Sequence, residues 1–348
     1  MIEDKIEIVI PTYNRANYLD KTLSYILDSP FKDCKITIRD NASQDDTPVI
    51  CEKYSKLFTN MHIIRNNKNI GGNANILRCY GEATYPYVWV LADNDYLNFD
   101  KCDDFLNAIE SEKYDLIICN SAHYNPKNIP YFYPTTKDES ISEYIRRQKG
   151  NEDNYLENTA QELAHIIKKH YFMIGGFISS TIYRTSLIDT ENLIQGSNYI
   201  SRSYPHFPLV AKCVNENRLT YKTKYDIVLL RKNPEDSEVI GIEWYSRYLD
   251  CLLLINDKQI RSYAEEHGGH DVYYELPARI IFAKAKHDPG LKNSVPSFIK
   301  TMYELRGWGK GFLYQICIMI CYFTPTKFCE YFVRKRSGKP IKRMDSKE

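Results

Sequence analysis

Short apolar segments alternate with amphipathic ones along the first third of the chain. Apolar runs over residues 6–10, 35–39, 61–65 and 87–92 each end in polar residues, and segments with helical spacing separate the runs. This repetition of strand and helix predicts an α/β fold with a mainly parallel, doubly wound, Rossmann-like sheet. Two further short strands are predicted at 219–223 and 227–230. Helical patterns near 243–257, 270–287 and 294–306 predict an α-helical C-terminal subdomain.

The apolar run over residues 87–92 ends in two carboxylates, Asp93 and Asp95, with Asn94 between them. Open α/β sheets bind their ligands at the carboxyl ends of their strands. Carboxylate oxygens suit Mg²⁺ or Mn²⁺, which keep several waters and share their remaining positions with substrate phosphates. The functional interpretation is therefore a metal–diphosphate site. The structural alternative is a polar turn after a core strand.

The other predicted strands also end in polar residues, and right-handed crossovers would bring these ends to one edge of the sheet. Arg15 could pair with a phosphate, and Asp40 could accept a hydrogen bond from a base. Asn69 and Asn75 flank glycines that permit close backbone approach. Each residue alone fits a surface loop, but four polar strand ends in order favour a nucleotide site.

Composition restricts the class of partner. The formal net charge of 348 residues is +1, which argues against binding to nucleic acid. The ten cysteines form no C-x-x-C pair, so neither a zinc site nor a disulfide framework is expected. The N-terminus, Met-Ile-Glu-Asp-Lys, does not resemble a secretory signal. We therefore expect reduced thiols and a cytoplasmic protein.

Four segments resemble, in order and spacing, the successive motifs of family 2 glycosyltransferases with the GT-A fold. They are Pro11–Arg15 (PTYNR), Asp40–Thr47 (DNASQDDT), Asn69–Asn75 (NIGGNAN) and Leu91–Asp95 (LADND). The resemblance covers residues 5–120. It implies a nucleotide-sugar donor and a divalent metal held by Asp95 and Asp93. It also implies a glycosyltransferase domain over residues 1–235, with a nucleotide-binding half at 1–120 and an acceptor half at 121–235. It further implies that the donor nucleotide is bound by Pro11, Thr12, Tyr13, Arg15, Asp40, Asn75, Asp93, Asn94 and Asp95.

The general base is harder to identify. Many relatives carry a Glu-Asp pair before the helix of the base, whereas this chain has Pro205 and His206 at those positions. The departure resembles the O-antigen and capsule deoxyhexosyltransferase branch, which includes abequosyltransferase-like proteins. A neutral imidazole could accept the proton of an acceptor hydroxyl, so His206 is the candidate base. The alternative is a capping or packed histidine. Ser179 and Ser180 could face the acceptor, or could be structural.

The C-terminal region, residues 236–348, ends in an unusual tail. Residues 311–323 are strongly apolar but too short to span a bilayer, and residues 327–348 contain eight Lys or Arg and three Asp or Glu. An apolar helix beside a basic segment predicts docking of residues 311–348 on an anionic leaflet. The alternative is a buried helix followed by a basic tail.

Together these features predict an inverting glycosyltransferase on the inner face of the cell membrane. Its acceptor would be a glycan or an undecaprenyl-diphosphate-linked precursor in O-antigen or capsule synthesis. Two alternatives remain. A nucleotidyltransferase of similar fold would need a Gly-rich basic loop after the first strand, which Pro11–Arg15 is not. An inactive, membrane-attached scaffold would explain the missing Glu-Asp pair.

Overall fold

A computed structural model describes residues 1–124, 157–159, 177–198, 205–231, 242, 250–258 and 272–337. The chain divides into two compact units, Met1–Asn233 and Pro234–Glu348. The predicted domain boundary, after residue 235, lies beside this division. Two segments of the sequence have patterns of their own. Residues 124–135, with several Pro and Asn-Pro breaks, predict a loop, and the polar residues 140–169 predict two helical pieces. Both segments lie outside the described residues, apart from Tyr124 and a short strand at 157–159.

The first unit is an α/β unit built on a single sheet. Its strands are β1 (Ile6–Thr12), β2 (Lys35–Asp40), β3 (Met61–Arg65), β4 (Tyr87–Val90), β5 (Tyr96–Leu97), β6 (Leu116–Tyr124), β7 (Glu157–Thr159), β8 (Thr181–Arg184) and β9 (Leu219–Arg231). Its helices are α1 (Ala16–Leu27), α2 (Thr47–Ser55), α3 (Gly72–Gly81), α4 (Asp103–Glu110), α5 (Thr190–Asn198) and α6 (Phe207–Asn215).

The strands are ordered β3-β2-β1-β4-β8-β6-β9-β5, and β7 pairs with β9. The α/β class is confirmed, and β1 to β4 are parallel as predicted. Beyond β4 the sheet is mixed, because β8 runs antiparallel to both of its neighbours, β4 and β6. The two strands predicted at 219–223 and 227–230 are one continuous strand, β9, which is long enough to pair with β6 along its whole length.

Alternate residues of the central strands form the main core. Ile8 of β1, Ile36 of β2 and Trp89 of β4 are completely buried, and they belong to one cluster with Leu19 and Leu23 of α1. The other faces of these strands are buried as well, as continuous apolar runs predict for strands covered on both sides. The core fixes the carboxyl ends of β1, β2 and β4 at one edge, where the polar strand ends begin.

Helix α2 begins one residue earlier than its capping pattern suggests. Thr47 followed by Pro48 reads as a cap and a first helical residue, but Thr47 is already helical and Asp46 is the N-cap. The Thr47 hydroxyl instead donates to Asp45 Oδ1 and accepts from the backbone N–H of Arg15, at 3.1 Å. Thr47 therefore joins the loop after β2 to the loop after β1.

The second unit is helical, as predicted. It contains α7 (Val272–Ala285), α8 (Leu291–Phe323) and α9 (Thr326–Ser337). Helix α8 is interrupted at Gly307, whose backbone (φ 70°, ψ 178°) lies in a region that only glycine adopts without strain. Within the described residues, no single helix could cross a bilayer, while α8 and α9 together have the length and composition but are bent by 93°.

Candidate nucleotide and metal site

Asp93 lies in the turn after β4 and is held from two directions. The hydroxyl of Thr12, the last residue of β1, donates to Asp93 Oδ2 at 2.7 Å, and the hydroxyl of Thr22 in α1 donates to the Asp93 carbonyl at 2.9 Å. The side chain is buried, and burial raises the pKa of this carboxyl to about 6, against the lowering effects of Thr12 and Arg15. A nearby cation would stabilise the ionised form.

Asp95 is the second buried carboxylate of the turn, and its side chain is oriented by Ser179. The Ser179 hydroxyl donates to Asp95 Oδ2 at 2.6 Å and accepts from the backbone N–H of Ala92 at 3.0 Å. The Ser179 carbonyl accepts from Trp89 Nε1 at 2.8 Å. Because β8 is antiparallel to β4, the turn that opens β8 lies beside the turn that closes β4. We name residues 92–95 the acidic turn. Ser179 therefore holds the acidic turn at both of its ends, Ala92 and Asp95.

Asp40, predicted to bind the base, shapes the loop after β2. Its Oδ1 accepts from the backbone N–H of Ser43 at 2.9 Å, and its Oδ2 lies 3.2 Å from Arg65 Nη1. Arg65 is opposite Asp40 in the pairing of β2 with β3, and its side chain is about half exposed. The sequence analysis missed Arg65. Its position at the end of a parallel strand next to β2 was the available signal. A role for Asp40 in base recognition stays a prediction.

Asn75, predicted to contact the donor, is buried inside an amide network. Its Nδ2 donates to the Arg39 carbonyl at 2.9 Å, and its Oδ1 accepts from Asn66 Nδ2 at 3.0 Å. Asn66 also donates to Asn41, and Asn41 donates to Asn69 at 2.8 Å. The network ties the start of α3 to the end of β2. Asn75 supports the loop geometry, and direct contact with the donor stays a prediction.

The loop after β1 is the most accessible part of the predicted site. Tyr13 is 39% exposed, Arg15 is half-buried, and Asn14 adopts a positive φ of 52°. Pro11 near the end of β1 and Asn94 in the turn after β4 are also half-buried. Asn14 Oδ1 accepts from the backbone N–H of Gln44 at 2.7 Å, so the loops after β1 and β2 are joined directly. An exposed aromatic ring beside an arginine suits a nucleotide, through stacking and phosphate pairing.

The protein supplies only some of the ligands that a divalent metal ion needs. Asp93 and Asp95 supply buried carboxylate oxygens, which suit Mg²⁺ or Mn²⁺. In the described part of the chain, no group of three His, Cys, Asp or Glu side chains could hold a metal ion. Two carboxylates leave most positions of an octahedral ion to water and to a ligand. This pattern is typical of ions that bind together with substrate phosphates.

His206 is the N-cap residue of α6, and its ring is only 1% exposed. It stacks on Tyr80 of α3, with ring centroids 6.4 Å apart. This burial favours packing over proton transfer from an acceptor, so the role of general base stays a prediction. Ser180 is buried and its hydroxyl donates to the Phe177 carbonyl at 2.9 Å, which fits the structural alternative; a contact with the acceptor stays a prediction.

If His206 is not the base, Asp236, Glu238 and Glu243 are the next carboxylates in the sequence to test, and Arg231 and Lys232 could meet the donor diphosphate. These three carboxylates, Lys232 and the side chain of Arg231 lie outside the described residues.

Comparison with known proteins agrees with this geometry. Residues 7–172 match Glycosyl transferase family 2. The abequosyltransferase RfbV of Salmonella typhimurium is 27% identical over 222 residues, which cover 60% of this chain and 61% of that protein. The chain thus spans less than two thirds of that relative.

Solved structures share the fold. TarS residues 1–349 of S. aureus, in complex with UDP-GlcNAc, have a TM-score of 0.60 at 13% identity, covering 96% of this chain and 92% of that one. A mannosyltransferase of Pyrobaculum calidifontis, in complex with GDP-Man and Mn²⁺, has a TM-score of 0.50 at 10% identity, covering 96% and 88%. The fold is therefore of the GT-A type, and residues 7–172, just under half of the chain, match glycosyl transferase family 2.

Proposed function

We propose that this protein transfers one sugar from a nucleotide-sugar donor to a hydroxyl of a polysaccharide precursor, with inversion at the anomeric carbon. The observation that carries the proposal is the pair of buried carboxylates, Asp93 and Asp95, held at the carboxyl end of β4 by Thr12 and Ser179. The family match favours glycosyl transfer over nucleotidyl transfer.

In the reaction, the acceptor oxygen bonds to the anomeric carbon, the bond to the donor diphosphate breaks, and the hydroxyl proton passes to a base. Asp93 and Asp95 would hold Mg²⁺ or Mn²⁺, which neutralises charge on the departing diphosphate when bound. The chain's own part is to orient the donor. Thr12 and Ser179 fix the carboxylates, Arg15 pairs with phosphate, and Tyr13 covers the nucleotide.

For the acceptor, we propose a glycan precursor carried on a lipid such as undecaprenyl diphosphate, as in O-antigen or capsule synthesis. The relation to an abequosyltransferase supports the polysaccharide part of this proposal. The exposed apolar residues of α8, such as Phe312 and Ile320, support the lipid part. A panel of soluble and lipid-linked acceptors separates the two parts.

The decisive variant is Asp95→Asn. We expect it to lower sugar transfer at least about a hundredfold, since one charged ligand of the diphosphate-bound ion is lost. The measurement is release of nucleoside diphosphate from a panel of nucleotide sugars, together with donor affinity by calorimetry in Mg²⁺ or Mn²⁺. The anomeric configuration of the product, read by NMR, tests inversion.

Asp100→Asn is the matched control, because Asp100 is an exposed carboxylate five residues further along the chain. It should leave both quantities unchanged. Full activity of Asp95→Asn, or of the wild type after chelation of divalent ions, would exclude the metal assignment. Absence of turnover with every donor, despite normal donor binding, would favour the inactive scaffold.

A further inference from the structure

The second unit has an unusually high concentration of exposed apolar side chains. Of the sixteen large hydrophobic residues that are exposed in the described chain, nine lie between Trp308 and Phe332. Scattered exposed apolar residues are ordinary, whereas a concentration of them in one part of a protein marks an interaction site. We name this patch the apolar face. It consists of Trp308, Phe312, Leu313, Ile316, Ile320, Phe323, Phe328, Tyr331 and Phe332.

The side chains of the apolar face are not the ones that form the hydrophobic contacts inside the second unit. The opposite side of α8 already buries Gly311 and Ile318, while Cys329 and Val333 of α9 pack with Ala285 of α7. Each helix therefore has one apolar side within the unit and a second apolar side outside it. A helix that only packed on its own unit would carry polar residues on the second side.

The apolar face also has its own shape. Phe312, Ile316, Ile320 and Phe323 recur at helical spacing and line one shallow depression with Met319 and Gln315. Gln315 is the only amide side chain between Phe312 and Phe323, and its Oε1 accepts from the Tyr303 hydroxyl at 2.5 Å. Its carbonyl therefore has a partner without water, which suits a surface that becomes dehydrated.

Exposed cations lie along the sequence of the apolar face. Lys310 falls between Trp308 and Phe312, Lys327 precedes Phe328, and Arg334 and Lys335 follow Phe332, all with exposed side chains. No Asp, Glu, Lys or Arg occurs between residues 311 and 326. An apolar stripe with cations along its border matches a leaflet in which anionic headgroups surround the acyl boundary. Two copies facing each other would bring these like charges together, which disfavours self-association.

We propose that the apolar face docks on the surface of an anionic lipid bilayer. Trp308, 85% exposed beside the Gly307 break, lies at the boundary where tryptophan is enriched. The aromatic and aliphatic side chains enter the acyl boundary, and Lys310, Lys327, Arg334 and Lys335 contact the headgroups. This docking is independent of the proposed sugar transfer, because none of these residues belongs to the nucleotide site.

Trp308 provides a direct readout on the full chain. The protein contains three tryptophans. Trp89 is completely buried, and a Trp244→Phe background leaves Trp308 as the only other tryptophan. Adding vesicles of phosphatidylcholine and phosphatidylglycerol to this variant should shift the emission to shorter wavelength, and brominated lipid should quench it. Adding Trp308→Phe to the same background should abolish both changes. If the vesicles leave the emission of Trp244→Phe unchanged, or if the double variant shows the same response, the proposal is wrong.

Sedimentation with vesicles then tests each component of the surface. The double variant Phe312→Ser with Ile320→Ser should weaken partitioning by about tenfold or more, because two exposed apolar side chains no longer enter the lipid. The matched control, Leu57→Ser with Ile194→Ser, replaces two comparably exposed residues of the first unit and should bind as the wild type does. Melting curves exclude unfolding, and equal binding by wild type and the double variant would refute the proposal.

Charge and geometry are tested separately. Lys327→Gln with Lys335→Gln should reduce the preference for phosphatidylglycerol over pure phosphatidylcholine, and about 1 M salt should release the wild type because docking is partly electrostatic. Release only by detergent would mean insertion across the bilayer and would overturn surface docking. A wild-type dimer that ignores vesicles, and that Phe312→Ser with Ile320→Ser converts to monomer, would assign the apolar face to a second copy instead.

Discussion

The acidic turn depends on a single hydroxyl that lies 84 positions away in the sequence. Ser179 donates to Asp95 and accepts from Ala92, so it sets the direction of one carboxylate and the path of the backbone before it. A hydrogen bond to a charged group contributes about 1.5–3 kcal/mol. Ser179 is therefore a positioning residue for the proposed metal–donor complex.

Ser179→Ala should weaken metal-dependent donor binding by about tenfold, because the Asp95 carboxylate loses its orienting donor. Ser180→Ala is the matched control, since Ser180 is equally buried in the same turn but donates to the Phe177 carbonyl. Calorimetry with nucleoside diphosphate and Mn²⁺ measures the difference. Equal affinities of the two variants would show that Ser179 does not control the turn.

A substitution at His206 can distinguish a general base from a packed side chain. His206→Gln keeps hydrogen-bonding capacity but cannot act as a base near neutral pH, so a buried, packed histidine predicts turnover within a few-fold of the wild type. The general-base hypothesis predicts a loss of about 10²–10⁴-fold with donor affinity unchanged. Turnover, donor affinity and melting temperature measured on one sample decide between them.

Among the elements, β9 carries an unusual buried cation. Lys222 is 1% exposed, and its Nζ has no hydrogen-bond partner among the described residues. Burial lowers the pKa of its ammonium group to about 8, although Asp226 acts in the opposite direction. The unfolded chain, with a pKa near 10.4, binds this proton more tightly than the folded protein does.

The stability of the wild type should therefore rise between about pH 8 and pH 10 relative to Lys222→Met, by at most about 2–3 kcal/mol. Below pH 8 both states are protonated and the cost of the buried charge is fully present. Urea unfolding of both proteins at several pH values gives the difference in the free energy of unfolding. A difference that does not change with pH would mean that Lys222 titrates normally.

The periodicity of apolar residues predicts individual strands but not their order in the sheet. Strands β1 to β4 follow from apolar runs and short connections, and their polar ends meet as expected. The insertion of β8 between β4 and β6 does not follow, because neither the direction nor the neighbours of a strand are encoded in its own pattern. Arg65 and Ser179 act through pairings with distant strands. For the same reason, the amide network that holds Asn75 through Asn66 and the Arg39 carbonyl could not be predicted from the sequence, because its members come from separate segments.

At the scale of the whole molecule, the strand order makes the first unit indivisible. A fragment of residues 1–124 contains β1 to β6 but lacks β8, so the inner edges of β4 and β6 would be unpaired and Asp95 would lose Ser179. We expect this fragment to aggregate and to bind no nucleoside diphosphate, whereas residues 1–233 retain binding. Circular dichroism and calorimetry on both fragments test this, and a folded, binding-competent 1–124 fragment would contradict it.

The position of β8 also has a consequence during synthesis on the ribosome. The chain emerges from the N-terminus onward, so β4 and the acidic turn leave the exit tunnel well before Thr181–Arg184. Until then, the open edge of β4 is a hydrophobic strand that could pair with another nascent chain. The interval between the two strands is therefore the time when a chaperone that shields strand edges would be most useful, and slowing translation within it should lower the yield of soluble protein.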